Sequence, residues 1–99
     1  MPFRRNEPRK TLICRVFALW TDGEGTLTRL PGLVEDRSRY GISLCVPEPI
    51  EIGTKVKIRG RQRELEGTVR HCRAAEGKYF IGIQLDKEDA SWDRFGAGL

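Results

Sequence analysis

The segment over residues 35–44 carries side chains well suited to binding a small polar ligand. Its sequence, E-D-R-S-R-Y-G-I-S-L, places Asp36, Ser38 and Gly41 between two apolar runs. A carboxylate accepts hydrogen bonds, a hydroxyl both donates and accepts, and glycine lets a ligand approach the backbone. The same residue types are those that ordinary turns prefer. The pattern alone therefore leaves a binding pocket and a plain turn open.

A basic segment at the amino terminus offers a second set of ligand-binding groups. The chain begins MPFRRNEPRK, which contains Arg4, Arg5 and Arg9. Its prolines disfavour a helix, and we interpret residues 1–11 as a flexible basic arm that precedes a single domain over residues 12–99. Guanidinium groups bind phosphate oxygens, or the O6/N7 edge of guanine, through paired hydrogen bonds. The alternative is a solvated tail without a ligand.

Catalysis and metal binding have little support in the sequence. His71 is the single histidine and lies next to Cys72, while Cys14 and Cys45 are distant. Adjacent residues of a strand point to opposite faces, so His71 and Cys72 cannot act as a nucleophile pair. The cysteine spacing matches no compact zinc pattern. We therefore predict no catalytic residue, no metal site and no cofactor, and expect the cysteines to be small core residues.

The composition predicts a small protein with an anionic partner. Ninety-nine residues suit one domain with one core, and the net charge is +4. The chain contains 13 arginines and 5 lysines, and arginine is the better residue for paired hydrogen bonds to phosphate or guanine. There is no apolar run of membrane-spanning length and no signal-peptide pattern. With an odd number of cysteines as well, we expect a cytoplasmic protein.

Short apolar and β-branched runs, separated by Gly, Pro and Asp turn signals, recur along the chain. The strands that they predict must position the candidate ligand-binding side chains. They predict strands at 12–20, 26–30, 33–36, 42–46, 55–58, 65–70 and 79–85. We expect the first to be largely buried and a break at Pro31-Gly32. Six or seven short, regularly spaced strands favour a small antiparallel barrel over a sandwich. Residues 87–95 predict one short C-terminal helix.

The order of these signals resembles the PilZ domain family. The resemblance rests on Arg5-x-x-x-Arg9 before the first strand and on Asp36-x-Ser38-x-x-Gly41 between two later ones. It extends over nearly the whole chain, with further support from Gly53, Gly67-Thr-Val69 and Tyr79-Phe-Ile-Gly82-Ile. The resemblance implies an all-β fold: a six-stranded antiparallel barrel with a helix at its C-terminal end.

The resemblance also implies a function, because PilZ domains are bacterial receptors for cyclic di-GMP. It implies that Arg5 and Arg9 wrap over the ligand, that Asp36 and Ser38 meet a guanine, and that Gly41 leaves room for it. A carboxylate suits the N1–H and N2–H₂ donors of guanine, in agreement with this assignment. We expect a non-catalytic receptor in which the ligand orders the arm and thereby changes the surface offered to a protein partner.

Three residues near these motifs raise separate questions. The position between Asp and Ser is usually apolar in the family, but here it is Arg37, which we expect at the solvent face or the ligand rim. The residue before the glycine is often small, but here it is Tyr40, which either crowds the site or stacks on a base. Arg4 is a candidate contact for a second cyclic di-GMP molecule.

Two alternative functions stay open at this point. Some PilZ domains act as adaptors through protein contacts without a ligand. A small basic barrel can also bind single-stranded nucleic acid, which requires exposed aromatic side chains on a basic face. The strand aromatics look buried in the sequence, which disfavours the second alternative; they are Phe17, Trp20, Tyr79 and Phe80. The downstream partner, the ligand stoichiometry and the oligomeric state are not determined by the sequence.

Overall fold

Six antiparallel strands close into a barrel. The computed structural model describes residues 10–89, with the burial of side chains defined from residue 14 onward. The strands are β1 (Lys10–Thr21), β2 (Leu27–Arg37), β3 (Gly41–Val46), β4 (Lys55–Arg59), β5 (Glu64–Ala75) and β6 (Lys78–Leu85). They follow the order β1-β2-β3-β6-β5-β4, and β4 pairs with β1 to complete the barrel. The predicted all-β barrel is confirmed.

Alternation of apolar and polar residues explains why these segments form strands around one core. In β4, Val56 and Ile58 are buried between exposed neighbours. In β6, Ile81, Ile83 and Leu85 point into the same core, as the sequence predicts. Because the side-chain period of a strand is two, each strand contributes every second residue to the interior. β6 therefore contributes three side chains to the core.

The turn between β5 and β6 is a two-residue hairpin loop. Glu76 and Gly77 both have positive φ angles, 54° and 77°. Positive φ at both central positions belongs to the hairpin turn whose twist matches that of the flanking strands. The turn lies within the predicted turn over residues 74–78 and is shorter, because β5 extends to Ala75 and β6 begins at Lys78.

The predicted break at Pro31-Gly32 is wrong, because β2 runs through both residues without interruption. Pro31 pairs with Phe17 of β1, whereas the pairing of β2 with β3 begins only at Leu33. At Pro31 the strand therefore has β1 as its neighbour on one side and no partner on the other. On the side without a partner there is no ladder hydrogen bond for the missing N–H group to remove. Proline is tolerated in such edge-like positions of a sheet.

Two further expectations need correction or remain outside the described residues. The first strand is not largely buried: it alternates, with Val16 and Ala18 inside and Arg15 and Phe17 exposed. Phe17 is 38% exposed, so the premise that the strand aromatics are all buried fails for this residue. The described part of the chain contains no helix; residues 87–89 are not helical, and the rest of the predicted helix over 87–95 lies outside the described residues.

Candidate ligand-binding corner

The corner, which we define as residues 36–41, joins β2 to β3. Asp36 lies between two strands, since it pairs with Thr11 of β1 and with Ser43 of β3. Arg37, the next residue, pairs with Lys10 and with the fully buried Ile42. Cross-strand partners share a face of the sheet. Asp36 and Ser43 therefore lie on the outer face of the barrel, while Arg37 points inward.

A β-bulge at Glu35 sets this orientation. The register between β2 and β3 shifts between Val34 and Asp36, so Glu35 has no partner of its own on β3. An inserted residue bends the strand and changes which side chains face which way. The bulge accounts for an inward Arg37 three positions after the inward Val34, and for an outward Asp36 between them.

Ser38 fixes the turn of the corner from inside. Its N–H group donates to the carbonyl of Gly41 at 2.9 Å, and its Oγ accepts a hydrogen bond from the Tyr40 N–H at 3.2 Å. Ser38 is 1% exposed. A hydroxyl that accepts one hydrogen bond retains a proton to donate. Ser38 is thus a buried, turn-forming residue of the corner.

The corner is fastened to the end of β6 by backbone hydrogen bonds. Gly41 is buried and pairs with Gln84. The Leu85 N–H donates to the Tyr40 carbonyl at 2.8 Å, and the Asp89 N–H donates to the Arg39 carbonyl at 2.8 Å. Every residue from 39 to 41 is therefore held against β6 or the segment that follows it, so the corner has little freedom to move alone.

Arg37 is buried, which contradicts the expectation that it faces solvent or a ligand rim. Its side chain is 0% exposed, and its Nη2 donates to Oδ2 of Asp89, whose side chain is 6% exposed. Oδ2 of Asp89 also forms an ion pair with Nη2 of Arg63 at 3.0 Å. A buried charge requires a partner of opposite sign. The carboxylate of Asp89 supplies it and joins the corner, the β4–β5 turn and the segment after β6.

Electrostatics around Arg37 agree with this burial. Desolvation lowers the pKa of the Arg37 guanidinium, and Asp89 opposes that change. Burial raises the pKa of the Cys14 thiol, while the nearby Arg37 charge lowers it to a smaller extent. The Cys14 thiol on β1 and the Arg37 guanidinium at the corner therefore interact electrostatically.

Tyr40 stands at the outer side of the corner. It is 38% exposed, which is high for a large ring. Because its backbone carbonyl is bound by Leu85, the residue is anchored while its ring reaches solvent. The ring is thus open to contact from outside the barrel.

The basic arm adjoins this corner through the chain itself. Arg4, Arg5 and Arg9 lie outside the described residues, and their roles stay predictions. The described strand nevertheless begins with Lys10 paired to Arg37 and Thr11 paired to Asp36. The arm therefore joins the barrel directly beside the corner that the sequence singled out.

The structure brings Asp36, Ser38 and Gly41 into one turn, and adds partners that the sequence did not reveal. Asp89 and Arg63 support the corner from behind, and Ser43 flanks Asp36 on β3. Arg37 and Asp89 are 52 positions apart, so no local spacing signals the pair. The alternation of β3 between Ile42 and Leu44 is the one pattern that could have indicated an outward Ser43.

The remaining candidate groups do not assemble into a reactive site. His71 is exposed on β5 and lies over Gly82 of β6. The three cysteines are all free thiols. Within residues 10–89, no group of three His, Cys, Asp or Glu side chains is arranged to hold a metal ion. In the same range, no helix is long and apolar enough to cross a membrane.

A closed six-stranded barrel with a polar corner beside its first strand defines a small domain of the binding type. The chain belongs to the PilZ domain family, since the family model described as PilZ domain matches residues 3–95. PilZ domains are cyclic di-GMP receptors or adaptors and are generally non-catalytic. A search of curated proteins found no match to this chain.

Proposed function

We propose that this chain is a cyclic di-GMP receptor in which the corner forms the floor of the site and the arm closes over it. The observation that carries the proposal is the pairing of Thr11 with Asp36, which places the start of β1 beside the corner carboxylate. The arm that carries Arg5 and Arg9 ends at Lys10, which pairs with Arg37 of the corner. That juxtaposition supports one composite site.

The floor supplies groups that match one edge of guanine. Asp36 lies on the outer face of the barrel and is partly exposed. Its carboxylate can accept hydrogen bonds from the N1–H and N2–H₂ groups of guanine. The Ser38 hydroxyl, which accepts from Tyr40, has a proton to offer to a ligand oxygen. The inward ion pair of Arg37 with Asp89 holds this floor rigid without occupying the ligand side.

The arm supplies positive charge and guanine-edge donors. Arg9 precedes Lys10 directly, and five residues of extended chain from Lys10 to Arg5 span up to about 17 Å. Both guanidinium groups are therefore within covalent reach of a ligand seated on the corner. Arg5 and Arg9 would bind phosphate oxygens and the O6/N7 edge. Arg4 is the candidate contact for a second ligand molecule.

Closure of the arm gives the receptor its output. Fixing the backbone of one residue costs about 1–2 kcal/mol, so the arm closes only when ligand contacts offset that cost. Ligand binding would then fix the arm in one conformation and change the surface offered to a partner. Such an order–disorder transition is a common form of protein switch.

Calorimetry of the full chain with cyclic di-GMP, GMP and a short oligonucleotide tests this function. We expect saturable binding of cyclic di-GMP that is abolished by Arg5→Ala or Arg9→Ala. Arg70→Ala is the matched control, because Arg70 is an exposed arginine on β5 whose Nε donates to Gln84. Stoichiometry for the wild type and Arg4→Leu decides between one and two ligands per chain.

The alternative functions predict different results in the same experiment. Oligonucleotide binding with a steep salt dependence, without cyclic di-GMP binding, would identify a nucleic-acid protein. Absence of binding to all three probes would identify an adaptor that acts through protein contacts. Equal effects of Arg9→Ala and Arg70→Ala would contradict the role of the arm.

A further inference from the structure

A groove with an apolar floor crosses the outer face of β1, β2 and β3. It has a volume of about 1090 Å³, and Phe17, Pro31, Leu33 and Pro47 are among the residues that line it. Phe17 and Leu33 are each 38% exposed. Large apolar side chains grouped on a surface mark interaction sites more often than isolated ones do. The groove is therefore a candidate for contact with another molecule.

The rim of the groove is basic. Arg15, Arg59, Arg61 and Lys78 line it, and no aspartate or glutamate in the described part of the chain does. Arg59 is paired with Glu64. Arg15, Arg61 and Lys78 form no ion pair with any residue of the described range 10–89. An occupant that carries acidic groups would therefore meet three cations that lack a carboxylate partner there.

The closed barrel limits how an occupant can bind. The barrel is closed, but residues 27–32 of β2 have no partner on β3, and residues 10–16 of β1 have none on β4. A partner that adds a strand needs an open edge of this kind. Pro31 has no N–H group to donate, which makes the open stretch of β2 at the groove a poor template for an added strand. We therefore expect recognition by side chains: apolar ones on the floor and charged ones at the rim.

Charge and surface chemistry distinguish the possible occupants. The arm of this chain is itself basic, so it would meet like charge at the rim. Single-stranded nucleic acid binds to several aromatic rings along a basic groove, whereas Phe17 is the one aromatic residue among the described residues that line this groove. An acidic protein segment with apolar side chains matches both the floor and the rim.

We infer that this groove binds a short acidic segment of a partner protein. Its apolar side chains would rest on Phe17 and Leu33, and its carboxylates would pair with Arg15, Arg61 and Lys78. The inference goes beyond the proposed ligand site and stands independently of it. Leu33 lies three positions from Asp36 along β2, about 10 Å in an extended strand, so the two sites would share one side of the barrel.

A synthetic peptide that alternates Glu with Leu and Phe is a suitable probe, added to the full chain and followed by backbone amide NMR and calorimetry. We expect saturable binding with shifts at residues 14–17, 32–33 and 59–61. Leu33→Asp should weaken it by at least about tenfold, or 1.4 kcal/mol. Ile52→Asp is the matched control, because Ile52 is 60% exposed and lies outside the groove.

A charge exchange makes the test specific for the rim. Arg61→Glu should weaken binding of the acidic peptide and permit binding of a peptide in which Lys replaces Glu. Arg70→Glu, outside the groove, should do neither. Because Arg61 is exposed in a turn, its substitution leaves the barrel folded. Recovery with the basic peptide would support an electrostatic contact at this residue.

Several results would overturn the inference. Equal binding of a polyglutamate peptide would show attraction without use of the floor. Stronger binding of an oligonucleotide or of cyclic di-GMP at the same amides, weakened by Leu33→Asp, would assign the groove to a nucleotide. Shifts at the groove amides on Trp92→Ala in the free full-length chain would show that the chain's own C-terminal segment fills the groove. Peptide shifts confined to residues 36–43 would place the contact elsewhere.

Discussion

Arg37 and Asp89 form a buried ion pair that connects the ligand-binding corner to the segment after β6. The two residues are 52 positions apart, and their side chains are 0% and 6% exposed. Asp89 also binds the Arg39 carbonyl through its N–H group and Arg63 through its carboxylate. One aspartate therefore supports the corner through both its main chain and its side chain.

Removing the carboxylate of Asp89 should destabilise the barrel strongly. Asp89→Ala leaves the Arg37 guanidinium buried without this partner, and breaking a buried ion pair costs about 3–5 kcal/mol. Asp86→Ala is the matched control: Asp86 pairs with Lys55 at 3.0 Å, but the Lys55 side chain is 70% exposed, and exposed pairs contribute about 0–1 kcal/mol. Urea unfolding of both variants measures the difference. Equal losses would show that the buried pair has no special weight.

Two strand glycines should respond differently to alanine. A Cβ at Gly67 would lie 2.5 Å from the Gln84 carbonyl oxygen and 2.6 Å from Ile83 Cγ2, whereas a Cβ at Gly82 would meet the His71 ring at 2.4 Å. The exposed ring can rotate away, but the backbone cannot. We expect Gly67→Ala to cost about 2 kcal/mol or more and Gly82→Ala less than about 1 kcal/mol.

Thermal unfolding of the two glycine variants gives this order directly. Gly23→Ala serves as the reference, since nothing lies within 4 Å of a Cβ placed there. A larger loss for Gly82→Ala than for Gly67→Ala would contradict the packing described between β5 and β6.

The partly buried thiol of Cys14 should make stability depend on pH at the alkaline end. Burial raises its pKa above the ordinary value of 9.0, so in the unfolded chain the thiol ionises first as pH rises. The unfolded state then binds fewer protons than the native state, and the free energy of unfolding falls, by up to about 1.4 kcal/mol per pH unit. The contribution is fully present below pH 9.0 and declines above it.

Unfolding of wild type and Cys14→Ala from pH 7 to above 9 measures this effect under reducing conditions. The wild type should lose stability more steeply than Cys14→Ala above pH 9.0, the ordinary thiol value. Cys72→Ala provides the matched control, because the Cys72 thiol is partly buried like that of Cys14. Parallel curves for wild type and Cys14→Ala would assign the alkaline loss to other groups.

Tyr40 offers a test of how the corner meets a base. Its ring is 38% exposed at the outer side of the corner, where it can stack on a guanine bound by Asp36. Stacking of a base on an aromatic ring contributes about 1–3 kcal/mol. Tyr40→Ala should therefore weaken cyclic di-GMP binding by about tenfold or more, while Tyr40→Phe should preserve it. Calorimetry that finds tighter binding for Tyr40→Ala would show that the ring crowds the site.

The carboxylate at the corner carries a separate prediction for binding. Asp36→Ala should weaken cyclic di-GMP binding by about 1.5–3 kcal/mol, the range for hydrogen bonds to a charged group. The barrel should stay folded, since Asp36 lies on its outer face. Calorimetry together with circular dichroism separates the two effects. Normal binding by folded Asp36→Ala would show that the floor of the site lies elsewhere.

The sequence predicted the barrel because local alternation specifies strands and strand spacing limits the topology. Val56 and Ile58 alternate with charged residues, and Ile81, Ile83 and Leu85 recur at every second position of β6. Both segments are strands in the structure. The corner was also found correctly as the connection between two strands. These features depend on neighbours within a few residues.

The errors concern features that depend on distant residues. Proline at position 31 looked like a strand break, since the sequence does not show that β2 has one neighbour there. The inward turn of Arg37 depends on the bulge at Glu35 and on a partner in the segment after β6. Composition and period alone carry no information about such pairs.

The pairing of β1 with β4 has a further consequence for dynamics. It consists of the pairs Phe17–Arg59, Ala18–Ile58 and Leu19–Lys57, the shortest of the seams between neighbouring strands in the described barrel. Local opening begins where few backbone hydrogen bonds must break together. Amide hydrogen exchange should therefore be faster along this seam than between β5 and β6. The arm precedes β1 directly. A ligand that holds the arm would therefore also slow amide exchange where β1 pairs with β4, at Phe17–Leu19.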